Sequence, residues 1–154
     1  MRLSKHFTLS ELTRSQVAKR NSINNNPSGK ETEALRNLSV KILEPIREKF
    51  GVPFSPSSGY RSKELNLFIG GSKTSQHCLG EAVDIEVPGV SNLTLCWWIR
   101  SHLDFDQLIL EHYDQAIPGS GWVHVSLVDP EGRKTNRREV LAFDGDSYQK
   151  GLPE

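Results

Sequence analysis

The sequence predicts an α+β fold, a small antiparallel sheet flanked by helices, and three observations predict it. In residues 31–50 the apolar positions Leu35, Leu38, Ile42, Ile46 and Phe50 recur at spacings of three and four, the pattern of a helix with one face on a core. Residues 81–87, 105–111 and 122–128 are instead short, apolar and partly alternating, as strands are. Helices come first and strands mixed with one helix follow, the order of an α+β fold.

The elements follow in order. In HFTLSELTRS, Thr8 or Ser10 is positioned to cap a short helix, with Glu11 three residues after Thr8 as in a capping box. Residues 24–29, NNNPSG, are a polar breaker. The 31–50 helix contains Pro45, expected to kink its last turns, and Gly51 is its stop. SPSSGYRS is a turn before a short helix at 63–69, and GGSKTS at 70–75 is a loop. In 81–87, Ala82, Asp84 and Glu86 share one strand face, and Val83, Ile85 and Val87 share the other. A buried helix is expected at 93–103. The strands at 105–111 and 122–128 are joined by a loop containing Pro118-Gly119-Ser120-Gly121. Residues 1–154 are expected to form one domain, with 129–154 a polar C-terminal extension holding one edge segment, Glu139–Phe143.

Composition narrows the function. Hydrophobic residues make up 36% and charged residues 25%, an ordinary globular balance. The net charge of +0 and the absence of like-charge blocks give no reason to expect a nucleic-acid partner. No apolar run approaches the ~18 residues of a membrane span. MRLSKHFTLSEL has no apolar signal-peptide core, so synthesis in the cytoplasm is expected, with any target outside the cell reached by another route. Cys78 and Cys96 are too few for a disulfide framework and are expected to be reduced, partly buried thiols. A monomer is expected.

Five histidines are present, and two stand in unusual company. His77 lies on a glycine-punctuated loop, and Asp84 follows in an apolar strand, where an unpaired carboxylate is costly. His124 is a polar residue inside the apolar strand Trp122-Val123-His124-Val125. Two imidazoles and a carboxylate make a zinc ligand set that leaves a fourth position open for water. Spacing alone leaves another reading open, in which both histidines are satisfied half-buried residues and Asp84 pairs with an arginine. Glu111 ends the strand before His124. If the two strands pair with Glu111 opposite Trp122, Glu111 falls diagonal to His124 on one face, about 7–8 Å away, where it could act as a general base through a water. Arg61 is a candidate clamp for a substrate carboxylate, since a guanidinium binds one with two parallel hydrogen bonds. A surface arginine in a turn is the competing reading.

Four segments together, SGYRS at 58–62, SQHCLGEAVDIEV at 75–87, FDQLILE at 105–111 and GWVHVS at 121–126, resemble the zinc D-Ala-D-Ala carboxypeptidase family of peptidoglycan peptidases, including its short phage and bacterial members. HFTLSELTRS and ILEPIREKFG are similar to the N-terminal part of that family, so the resemblance spans residues 4–128. It implies a hedgehog/DD-peptidase-like fold whose sheet carries one zinc ion held by His77, Asp84 and His124. It further implies Arg61 as the substrate-positioning arginine and Ser75 as a member of the same site through a hydrogen bond to substrate or ligand. Tyr60 and Trp122 would form part of the cleft wall. Several relatives have an acidic residue three positions before the last histidine, where this chain has Gly121; the short members with a WVHVS strand have instead a Glu ending the preceding strand, which matches Glu111.

The implied reaction is hydrolysis of an amide in the peptidoglycan stem peptide, by D-Ala-D-Ala carboxypeptidase or endolysin-type endopeptidase action. The competing expectations are a non-catalytic zinc-binding recognition module of the same fold and a peptidase for free D-alanyl dipeptides. A phage-encoded lysis enzyme also fits the N-terminus.

Overall fold

A strand that starts beside a neighbour's first residue runs the same way as that neighbour, and this decides the sheet. The computed structural model describes residues 1–130 and 135–154, so part of the expected C-terminal extension, 131–134, lies outside the described residues. The sheet has five strands: β1 (Ala82–Ile85), β2 (Gln107–Glu111), β3 (Trp122–Ser126), β4 (Glu139–Phe143) and β5 (Tyr148–Lys150), in the order β1-β3-β2-β4-β5. β1 and β2 both pair antiparallel with β3, and β5 pairs antiparallel with β4. β4, however, pairs parallel with β2, Gln107 facing Glu139, so the sheet is mixed rather than antiparallel as expected. The cause is a side-chain clasp at the entrance to both strands. The Arg137 guanidinium donates to both oxygens of Asp106 (Nη2 to Oδ2, 2.8 Å), and the Arg137 and Glu139 amides donate to Asp106 Oδ1 and its carbonyl. The stretch expected as a polar extension thus supplies two strands of the sheet.

Asp106 is 3% exposed. Burial alone would raise its pKa, but the Arg137 hydrogen bonds outweigh burial and hold it below the usual carboxylate range. A depressed carboxylate adds stability above its unfolded pKa, and that contribution disappears as pH falls through the folded value. Arg137→Ala is therefore expected to cost about 1–2 kcal/mol at neutral pH, the half-exposed guanidinium being screened by solvent. The gap from the parent should close in strong acid. Urea unfolding at pH 7 and pH 3 checks this; an equal loss at both would remove the ion pair as its source.

Short capped helices pack around the sheet. α1 (Leu9–Thr13) is capped by Thr8, the first of the two expected candidates, whose hydroxyl accepts from the Glu11 amide. α2 (Gln16–Arg20), one turn capped by Ser15, was too short to show a period in the sequence. The expected 31–50 helix is continuous but not uniform. α3 (Gly29–Leu38) passes through a π-helical segment, Ser39–Leu43, into α4 (Glu44–Phe50). Pro45 has no N–H to donate, and the wider turn just before it, with the Glu44 amide on the Ser39 carbonyl, absorbs the mismatch. Gly51 ends α4 at φ 67°. α5 (Lys63–Phe68) and α6 (Asn92–His102) complete the set.

Pairing register sorts the strand residues onto two faces. Val83, Ile85, Leu108, Leu110, Val123 and Val125 face the helices and join Leu35, Leu38, Ile42, Ile46, Leu95 and Ile99 in one core. Each such fully buried side chain is worth about 1.5–3 kcal/mol. The other face carries Asp84, His124 and Ile109 in one row, with Glu111 opposite Trp122 in the next, the register supposed for these two strands.

Candidate metal centre

Three donors converge where the sheet meets a loop. Asp84 and His124 sit directly opposite each other on β1 and β3. His77 reaches them from a 3-10 turn, Gln76–Leu79, packed against β1. One ligand atom from each of His77, Asp84 and His124 lies within 4.8 Å of the others. Asp84 Oδ1 is 3.1 Å from His124 Nδ1 and 3.5 Å from His77 Nε2. Burial would raise the Asp84 pKa, but hydrogen bonding to His124 and His77 outweighs it and holds the carboxyl well below the usual range. Burial pushes the His77 pKa down, which keeps the imidazole neutral and able to ligate.

The donor set fits a metal for a further reason. His77 is 2% exposed, and its Nδ1 donates to the Gly59 carbonyl at 2.7 Å. That bond fixes the tautomer and turns Nε2 toward Asp84, the outer support found behind metal-bound histidines. Gly59 is required by space: a Cβ there would lie 2.2 Å from the Leu12 carbonyl oxygen of α1, and the Tyr60 amide donates to that same oxygen. Gly59→Ala should push α1 away and tilt the carbonyl behind His77. A loss of about 1–3 kcal/mol is expected, with metal affinity weakened about 10–100-fold. Thermal unfolding and a metal titration measure the two effects. A variant matching the parent in both would show that the contact has no such role.

Glu111 closes the site on the β2 side. Its Oε2 accepts from Trp122 Nε1 at 2.8 Å, so the indole holds the carboxylate in place. Burial, with the Asp84 charge adding to it, raises the Glu111 pKa. His112, the next residue, takes a φ of 54° that turns the chain out of β2 and lays its ring on Trp122, 4.9 Å between centroids. Phe143 of β4 meets the His112 ring edge-on at 5.4 Å. Position 121 cannot carry an acid in this backbone: Gly121 has φ 73°, and a Cβ there would lie 2.1 Å from the Glu111 carbonyl oxygen.

The other expected site residues divide. The Arg61 amide donates to the His77 carbonyl at 3.1 Å, which ties the arginine to the turn that carries the histidine. The Ser75 hydroxyl accepts from the His77 amide at 3.2 Å and caps that turn. Trp122 is half-buried, with its N–H engaged by Glu111. Tyr60, expected on the cleft wall, is 7% exposed and packs with the core, while its amide donates to the Leu12 carbonyl of α1. Cys78 and Cys96 are free thiols. Gly59, His112 and Phe143 were not singled out from sequence, since their parts depend on contacts between distant segments.

Among curated proteins, none matches this chain. The family model described as Peptidase M15 matches residues 5–126, a span that contains the three clustered donors, Arg61 and Glu111. The chain belongs to the peptidase M15 family, the zinc D-Ala-D-Ala carboxypeptidase-like peptidases.

Proposed function

We propose that the protein is a zinc metallopeptidase that hydrolyses an amide bond in the stem peptide of peptidoglycan. The observation that carries the reading is the β2–β3 register, which sets Glu111 diagonal to His124 on the face that bears the His77–Asp84–His124 cluster. Two imidazole nitrogens and a carboxylate oxygen are the ligand set of an open catalytic zinc site. When bound, zinc supplies a Lewis acid for the scissile carbonyl and acidifies the attacking water. Glu111 takes the proton of that water and delivers it to the leaving amine. Trp122 orients the carboxylate through its N–H. Arg61 binds a carboxylate of the stem peptide and so fixes which amide lies over the metal site.

One observation favours a second reading, a zinc-binding recognition module without catalysis: Gly121 stands where several relatives have their acid. Digestion of purified sacculi with and without a chelator, followed by mass spectrometry of the released muropeptides, separates the two. The peptidase reading expects chelator-sensitive release of new amine termini, and the fragment masses identify the bond cut and so distinguish carboxypeptidase from endopeptidase action. Tight binding to sacculi with no new termini would support the recognition module instead.

A further inference from the structure

A carboxylate clamp must be held still yet keep its charge, and a carboxylate partner within the protein would meet the first need by defeating the second. Among the described residues no acidic group pairs with Arg61. Its Nη1 donates instead to Oδ1 of Asn66 at 3.1 Å, and its Nε is buried without a hydrogen-bond partner. Asn66 lies on α5, is 5% exposed, and uses its other amide end to donate to the Ser72 carbonyl at 2.8 Å. The Gly71 amide donates to the Asn66 carbonyl at 2.8 Å. A Cβ on Gly71 would lie 2.1 Å from Asn66 Oδ1 and 3.1 Å from Arg61 Nη1, so the loop closes over this pair only because residue 71 is glycine. The backbone of Arg61 is held as well. Asn25 donates to the Tyr60 carbonyl and accepts from the Ser62 amide, bracketing Arg61 on both sides.

We propose that Asn66 is the positioning residue of the Arg61 clamp: its buried, neutral carboxamide holds the guanidinium without neutralising it and leaves the full positive charge for a substrate carboxylate. The proposal rests on the reading of Arg61 given above. A carboxylate at position 66 would form the stronger, charge-assisted bond and compete with the substrate. An alanine there would release the guanidinium.

The test uses the metal-loaded full chain with Asn66→Ala, Asn66→Asp, Arg61→Ala and the Arg61→Ala/Asn66→Ala double variant. Both single Asn66 variants should keep stoichiometric metal and raise KM for stem peptide roughly tenfold, the size of one charge-assisted bond, with kcat within about twofold of the parent. If Asn66 acts through Arg61, the double variant should match Arg61→Ala in kcat/KM within about twofold. Losses that instead multiply in the double variant, or metal lost from both Asn66 variants, would make Asn66 a support of the loop only and overturn the proposal. An Arg61→Ala protein with parental kcat/KM would overturn the clamp, and Asn66's part with it.

If the parent releases nothing from peptidoglycan, the peptidase reading fails, and the hold on Arg61 is read without turnover. In nuclear magnetic resonance spectra, Asn66→Ala should then shift the Arg61 Nε–H signal and speed its solvent exchange. An unchanged signal would overturn the proposal on its own.

Discussion

Glu111→Gln is expected to keep its metal and to lose roughly 10²–10⁴-fold in kcat on peptidoglycan, the usual worth of a positioned general base. Glutamine has the same shape, and its side-chain oxygen can still accept from Trp122 Nε1, so packing and register should survive. What disappears is an oxygen that can take a proton. The effect should fall on kcat more than on KM, because proton transfer belongs to the transition state. Elemental analysis for metal, alongside steady-state release of amine termini, checks both halves. Full activity would remove Glu111 from the role. No other acid can then be assigned to the place before the last histidine, since the backbone at Gly121 leaves no room for a side chain.

His77→Ala is the second large expected effect, and it differs in kind from His124→Ala. Both should abolish stoichiometric metal, since each removes one of three donors. His77, however, is almost wholly buried and supports both the Gly59 carbonyl and Asp84, whereas the His124 side chain is 13% exposed at the sheet face and its ring bonds Asp84 Oδ1. Removing His77 leaves a buried carbonyl without its donor, a cost of about 1–3 kcal/mol in the metal-free protein. His124→Ala should cost the metal-free fold less. Metal content by elemental analysis and thermal unfolding in chelator read the two variants side by side. Stoichiometric metal in either would dismiss that histidine as a ligand, and equal unfolding temperatures would dismiss the asymmetry.

How much of this was legible in the sequence depended on the range of the forces involved. His124 and Asp84 stood out because each interrupts an apolar strand, and strand alternation alone put them on the polar face. The register that sets Glu111 against Trp122 was a supposition there, since alternation fixes faces and not partners, and the pairing of β2 with β3 has that register. The Thr8 cap and the Gly51 stop are local chemistry and were readable as such. The direction of β4 was not, because it depends on Arg137 reaching Asp106 across thirty-one positions. Pro45 announced an irregularity but not its form, since a kink and a π-helical turn both answer a missing N–H. The burial of Tyr60 was not readable either, because which way a turn sends its side chains depends on the surface it docks to. Asn66 gave no signal at all. An asparagine in a short helix acquires meaning only when Arg61, Gly71 and Ser72 are brought around it.

The parallel β4 also decides how an extended chain can approach. Peptides often bind by adding a strand to an open sheet edge, where unpaired amides and carbonyls offer a template. Here β2, which carries Glu111, is lined on one side by β3 and on the other by β4. β1, which carries Asp84, exchanges amide bonds with Ser57 and Ser58 along its outer side. β2 is thus closed to augmentation, β1 is already bonded at Asp84 itself, and the outermost strand, β5, is only three residues long. An extended chain that reaches Glu111 and Asp84 has to cross the face of the sheet rather than add to its edge. Its backbone polarity is then not read by a ladder of main-chain bonds, which leaves selection to the few side chains that rise from that face.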